Sequence, residues 1–529
     1  MPLQKLQFRP GINRETTSYT NEGGWFDMDK VRFRFGYPEK IGGWVKSSNN
    51  AFLGTCRALH PWVALDGTNY LGAGTNLKYY INEGGAYHDI TPIRLISGAG
   101  DATFATGADT IDGAIDAVAT SILLDSVTGF PVSGRIKIDN EEMTYAAISS
   151  NNLTGVTRGV NGTAAAAHAD GAAITCATIT VTEVDHEALV NDFVTFTDAA
   201  TLGGTITAAV LNQEYEITAI VSDDIFQIDA RTVSTIGSIT TTDGLNPTFV
   251  YSNASDSGSG GGATVATYQI NTGLDTTIAG NGWGAGTWGR GTWNSNADLS
   301  ASGQTLRIWS HDNFGEDLII NVRDAGLFYW DKSNGVSTRA VALNSLSGAN
   351  AVPTIAKQVL VSDIDRHVIA FGCDSETNPG TQDPLLIRFS DQENVAEWQS
   401  LATNTAGDLR IGSGSKIITA VETRQQILVF TDVSLHAMQF LGPPFTFGIN
   451  SLSEGITIAS PLSAIAVEDN VFWMGAEEFY VYGGSVQRLP CSVRDYIFTD
   501  INNDQLEKIT AGVNSAFGEV TWFYPSASS

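Results

Sequence analysis

Three tryptophans spaced by glycine, Trp283, Trp288 and Trp293, punctuate the run GWGAGTWGRGTWN from Gly282, which also spells a literal GxGxxG at Gly284, Gly286 and Gly289. In a dinucleotide-binding turn those glycines follow a strand and open a helix whose N-terminus holds the pyrophosphate. Here more Gly and Trp follow, and each Gly costs a helical position about 1 kcal/mol. The run is therefore expected to lay indole rings over neighbouring strands in a β architecture, not to cradle phosphate.

Other groupings of reactive side chains fail in the same way, each for a stated reason. Asp312, Glu316 and Asp317 in HDNFGEDLI could hold a cation, but a turn between two strands accounts for them as well. DINNDQLE from Asp500 begins like a Ca²⁺ loop, with Gln505 where Gly is needed and no Glu in the twelfth position. His60, His88, His168, His186, His311, His367 and His436 form no HxH or HxxxH pair for zinc and are expected as hydrogen-bonded structural residues. No GxSxG or Cys/His pattern supports a nucleophile. A glycosidase needs two carboxylates across a pocket; the nearest fit, SDQENVAEW from Ser390 to Trp398, is similar to the Asp-box turn of sialidase propellers but lacks its central Gly. The expectation is no catalytic residue, no metal ligand set and no cofactor.

The elements that would carry such residues are strands. TNYLGAG, LKYYIN, EDLIINV, GLFYWD, KQVLVSD, RHVIAFG, LLIRFS, QILVFT, NVFWMG, EFYVYGG and EVTWFYP recur at near-regular spacing with Gly, Asn and Asp turns between them. That rhythm suits a β-propeller, with a large sandwich as the runner-up. Two short helices are expected, at ENVAEW and from Asn502 to Ile509, where Asn502 is placed to cap. A propeller usually needs a further strand after EVTWFYP to close its ring, so the expectation is that either the terminus pairs elsewhere or the natural product continues.

Between about residues 100 and 272 the composition changes to Ala, Thr, Asp and Gly with few aromatics, so this segment reads as inserted. The expected division is 1–99 as the first part of a propeller-like domain, 100–175 as one small β-sandwich or barrel, 176–272 as a second with a Ser/Gly linker, and 273–529 as the continuation. In RIKID, Ile136 and Ile138 should face inward and Arg135, Lys137 and Asp139 outward; in NDFVTFTD, Val194 and Phe196 lie opposite Phe193 and Thr195. SNASDSGSGGGAT from Ser252 reads as a mobile linker.

Charge and cysteine usage bound the function. The chain of 529 residues carries a formal charge of −28, which argues against a nucleic-acid binder working through a basic surface. The charge is uneven: residues 1–50 sum to +3 and residues 101–272 to −17. Arg32 and Arg34 alternate with Val31, Phe33 and Phe35, so they either pair within the fold or meet an acidic partner. Cys56, Cys176, Cys373 and Cys491 make no CxxC pair and are expected as buried thiols. No signal peptide and no run of about eighteen apolar residues is present, so synthesis in a cytoplasm is expected, and the sequons at Asn152, Asn161 and Asn253 read as turn chemistry.

FRPGINRETTSYTNEGGWFDMDKVRFRFGYPEKIGGW from Phe8, GWGAGTWGRGTW from Gly282, RIWSHDNFGED from Arg307, SDIDRHVIAFGCD from Ser362, FSDQENVAEW, LVFTDVSLHAMQFLGPPFTFG and NDQLEKITAGVNSAFGEVTWFYPSA together resemble the tail nozzle, or tail tubular, proteins of short-tailed phages. The resemblance covers nearly all of residues 1–95 and 273–529. It implies a propeller-bearing virion subunit that assembles as a ring, six copies being the expected number, below the portal and adaptor. Such a ring conducts DNA during ejection without binding a sequence and offers attachment to fibres or spikes. It implies no enzyme activity. A host-glycan adhesin and a propeller glycoside hydrolase are the competing readings.

Overall fold

The computed structural model describes residues 8–231, 251–252, 254, 259–271, 273–276, 306–442 and 445–527. The tryptophan run from Gly282, with its GxGxxG, lies outside the described residues, as does the sequon at Asn253. The protein is all-β, and the longest helix among the described residues is the seven-residue Arg494–Asp500.

Residues 56–89 and 309–489 form five antiparallel sheets of four strands in up-and-down order. Their first strands are Cys56–Val63, Trp309–Phe314, Gln358–Val361, Ile417–Glu422 and Ala464–Val467, and a sixth, two-stranded sheet follows with Thr510–Asn514 and Glu519–Phe523. These first strands lie beside one another in sequence order. Each sheet packs its face on the next. Tyr79 and Ile81 meet Trp309, Leu318 and Ile320; Ile319 and Leu327 meet Val359, Val361 and Trp398; Ile369, Phe371 and Phe389 meet Ile417, Val429 and Phe447; Leu428 and Phe430 meet Val471 and Trp473; Met474 and Phe479 meet Ile509 and Trp522. Burial on both faces explains why LII, VIAF and ILVF read as unbroken apolar runs instead of alternating ones. In Asp317–Val322, Leu318 and Ile320 turn to the first sheet and Ile319 to the third. The run also returns on itself: Arg323 Nη2, just after this strand, bonds Glu507 Oε2, just ahead of the sixth sheet, at 2.7 Å.

The inserted segment is two structures, one nested in the other, where the sequence suggests two in succession. An eight-stranded sheet runs Ser259–Gly260, Thr103–Ala105, Thr178–Thr182, Ile225–Asp229, Glu214–Ser222, Phe193–Ala199, Gly262–Gln269, Ile93–Ile96. Its edge strand Ser259–Gly260 and its penultimate strand Gly262–Gln269 are joined through the single residue Gly261, so the sheet curls round to meet itself as a small barrel. Phe104, Val194, Phe196, Tyr215 and Phe226 fill it. Ile93–Ile96 thus belongs to the barrel, ahead of the expected start at residue 100. Between Thr103–Ala105 and Thr178–Thr182 sits the second structure, a four-stranded and a three-stranded sheet around Ile122, Ile136, Ile138, Met143 and Leu153.

The expected linker is in part strand. Gly261 is required there because a Cβ would meet Ala102 O at 2.7 Å, so the glycines admit a close backbone approach. ENVAEW is a turn, with Glu393 at φ +55°, and not a helix. Asn503–Lys508 is a 3₁₀ helix, and the Asn502 side chain accepts from Asp504 N at 3.1 Å as the capping expectation requires. Cys176 and Cys373 are buried, Cys491 is half-buried, and Cys56 is exposed; all four are free thiols.

Candidate functional site

Four of the first strands, Cys56–Val63, Trp309–Phe314, Gln358–Val361 and Ile417–Glu422, carry or lead into a set of ionisable groups far apart in sequence. His60 Nε2 lies 2.6 Å from Asn313 Oδ1, and the His60 and His311 ring centroids are 4.8 Å apart. Burial and the neighbouring His60 push His311 down to about 3, so it is neutral, and its Nδ1 lies 2.8 Å from the hydroxyl of Tyr79, whose phenol is raised by burial. Next on the same strand, Asp312 Oδ2 accepts from Val361 N of the following sheet at 2.8 Å, and Asp312 Oδ1 from Asn313 N at 2.9 Å. Burial raises Asp312 despite those donors.

At the end of Ile417–Glu422, Glu422 Oε1 accepts from Asp363 N at 3.2 Å. Burial first, then the charges of Asp363, Asp312 and Asp365, push Glu422 up to about 7. A carboxyl tuned to neutrality can hold a proton where an ordinary one cannot. Beside it a cleft of about 240 Å³ is edged by Ser362, Asp365, Glu422 and Gln426 and floored by Phe440 and Phe447. His367 packs behind that floor, 5.2 Å from the Phe447 centroid, with Nδ1 2.7 Å from Ser390 O.

The acids singled out in HDNFGEDLI do not converge. Asp312 bonds the next sheet's backbone as above. Glu316 Oε1 accepts from Leu65 N at 2.7 Å and from Lys332 Nζ at 3.2 Å, while Asp317 accepts from Tyr329 Oη and from Lys332 N at 2.9 Å. Around the turn at Gly315, φ +71°, Asp312 holds the next sheet while Glu316 and Asp317 both hold Lys332, through its ammonium and its backbone N–H. In SDQENVAEW, Asp391 Oδ1 accepts from Thr405 N at 2.9 Å and Thr405 Oγ1 at 2.6 Å; burial would raise its pKa, but these bonds outweigh it and the carboxyl is lowered. Asp500, at the start of the calcium-like stretch, accepts from Ser526 Oγ at 3.1 Å. Among the described residues no group of three or more His, Cys, Asp or Glu is arranged to hold a metal ion.

Two buried charge networks have no signature in the sequence. Lys78 Nζ is fully buried and donates to Asp89 Oδ2 at 2.7 Å and to both oxygens of Glu214 at 2.8 Å, with the Phe193 ring 4.4 Å away. Asp89 belongs to the first sheet and Glu214 to the barrel, so this network ties the insertion to the sheet run. It also explains why Phe193 is buried although it lies opposite Val194 and Phe196. In the nested sheets, Glu141 accepts from Arg158 Nε at 2.7 Å and pairs with His168 Nε2 at 2.9 Å.

The segment ahead of the first sheet lies against the last sheets. Ser492 Oγ donates to Ile12 O at 2.5 Å, Asp495 N to Glu15 Oε1 at 3.1 Å, and the Arg14 guanidinium sits 4.0 Å from the Tyr496 ring centroid. The alternating Arg32 and Arg34 lie on the hairpin Val31–Arg34/Tyr37–Lys40. Arg32 stacks 3.5 Å from the Phe517 centroid and pairs with Glu519 at 3.5 Å, and Arg34 is 5.6 Å from the same ring. The two arginines therefore anchor the hairpin within the fold.

No protein-family model and no curated protein matches the chain. Among solved structures it is similar to a phage phi92 endosialidase at 8% identity and TM-score 0.18, covering 88% of this chain and 62% of that one. It is similar to PorZ, a surface component of the type-IX secretion system of Porphyromonas gingivalis, at 11% identity and TM-score 0.26, covering 86% and 60%. A third, the extracellular domain of a putative hybrid two-component system from B. thetaiotaomicron, matches at 10% identity and TM-score 0.23, covering 83% and 78%. The chain thus spans about three fifths of the length of the first two. At such TM-scores these likenesses decide nothing about function.

Proposed function

We propose that this chain is a structural subunit of a short phage tail, a nozzle that assembles as a ring, expected to be sixfold, below the portal and adaptor and conducts DNA during ejection. The reading rests on the sequence strings that resemble tail nozzle proteins, and one structural observation supports it. The two stretches carrying the resemblance, separated by the insertion, share a single core in which Tyr79 and Ile81 pack on Trp309, Leu318 and Ile320. In this reading the six consecutive sheets are blades of a propeller, the barrel and its nested sheets are a peripheral decoration, and fibres or spikes attach to the outer surface. The chain works in the virion and catalyses nothing.

A second reading, a virion-associated glycan hydrolase or adhesin, is favoured by the cleft beside Glu422, whose carboxyl near neutrality suits a general acid.

A cryo-EM reconstruction of the purified virion tail tests the proposal. Density for this chain as a ring continuing the portal axis is the expected result. Density confined to peripheral fibres, or absent, overturns the nozzle and brings the glycan readings forward.

A further inference from the structure

We infer that the hairpin Val31–Arg34/Tyr37–Lys40, with the segment that follows it, is a docking arm that inserts into a second copy of this chain. The inference deepens the ring reading by naming the surface that joins neighbouring copies.

The turn of this hairpin is unusual for its residues. Arg34 pairs with Tyr37, leaving Phe35 and Gly36 as the two-residue loop, and both have positive φ, +50° and +84°. That is the type I′ turn, whose first position favours Asn, Asp or Gly. A Phe there occupies the left-handed region that side chains bearing a bulky ring avoid. Its ring is met by the Arg34 guanidinium, 5.4 Å from the centroid, yet stays 90% exposed at the tip of the hairpin. Conformational strain and an apolar ring in water both count against the free protomer, and burying the ring in an apolar recess on a partner removes the second and offsets the first.

Further exposed apolar side chains follow along the same segment. Tyr37 is 72% exposed and Trp44 91%, and Val45 and Ile41 are exposed as well. Aromatic rings of this kind, rimmed by charge, are what anchors an interface. The hairpin's base is already held in cis by Arg32 on Phe517 and Glu519, so the arm is presented as a fixed projection and its docking costs little ordering.

Charge selects the occupant. Residues 1–50 carry a net +3, whereas the rest of the same chain carries −31. A basic, aromatic arm therefore meets complementary charge on any other copy of this chain, and contact between an arm and a different surface is heterologous, the kind that builds rings when the rotation closes.

The test uses the full chain and the variants Phe35→Asn and Trp44→Ser, with assembly followed by sedimentation velocity across protein concentration at about 0.05 M and about 0.5 M NaCl. Asn suits the type I′ turn, so Phe35→Asn should melt at the same temperature as the unaltered chain or higher. The expected result is an assembling parent that weakens with salt, and a Phe35→Asn chain equally well folded whose association is weaker by about tenfold or more. A parent that stays monomeric throughout overturns the inference, because the exposed face then serves another protein. A Phe35→Asn and a Trp44→Ser chain that both assemble as tightly as the parent overturn it too, yet leave a ring built through another surface intact.

Discussion

Glu422 shows how position alone changes a residue's chemistry. Its carboxyl is raised from an ordinary value to about 7, chiefly by burial and then by Asp363, Asp312 and Asp365. The folded chain therefore holds a proton that the unfolded chain releases at the ordinary carboxylate pKa near 4.5. Between that pH and about 7 the native state binds more protons, so stability falls as pH rises. Glu422→Gln should remove that fall, leaving the variant more stable than the parent at pH 8 by ~1–2 kcal/mol once solvent screening is allowed for. Urea melts of both chains at pH 4.5 and pH 8 check it; parallel losses in the two chains would place the titration elsewhere.

Among elements, the joint between the first and second sheets depends on a residue without a side chain. A Cβ at Gly74 would lie 2.5 Å from Trp309 Cδ1, and Trp309 is locked there by its Nε1 donating to Thr75 O at 2.6 Å. Backbone and indole are therefore in direct contact, with no room for either to give. Gly74→Val should cost ~2–3 kcal/mol through overpacking at that joint. A thermal melt reads the loss, and Gly512→Ala in the sixth sheet, where a Cβ meets only Phe523 Cε2 at 3.9 Å, should be nearly silent by comparison.

For the molecule as a whole, the insertion is attached as a barrel whose entering strand Ile93–Ile96 pairs with its leaving strand Gly262–Gln269. The chain therefore departs from the sheet run and returns to it at one place. Replacing residues 98–265 by an Asn-Gly turn should leave a folded remainder that melts within about 5 °C of the parent, since the core of the first two sheets draws on no barrel side chain beyond the strand pair. The remaining cost is local: Lys78 loses Glu214 and the Phe193 ring but keeps Asp89. Circular dichroism and a calorimetric scan of the excised chain decide this, and a remainder that fails to fold would make the barrel part of the central fold.

What the sequence settled by itself was local. Period-two patterning and turn residues are short-range physics, so the all-β class, the inward Ile136 and Ile138 and the Asn502 cap could be read directly. The turn favoured for the HDNFGED acids lies at Gly315, between the paired strands Trp309–Phe314 and Asp317–Val322. The expected helix at ENVAEW failed because the Asn350 backbone bonds Ala396 O and Trp398 N and Glu393 N donates to Arg366 O, tertiary demands that propensity does not contain. The nesting of one inserted structure inside the other, the Lys78 network, the shifted Glu422 and the contact of His60 with His311 join residues from tens to hundreds of positions apart. Only the closing of sheet on sheet brings them together, because chain proximity in space is set by packing and not by sequence distance.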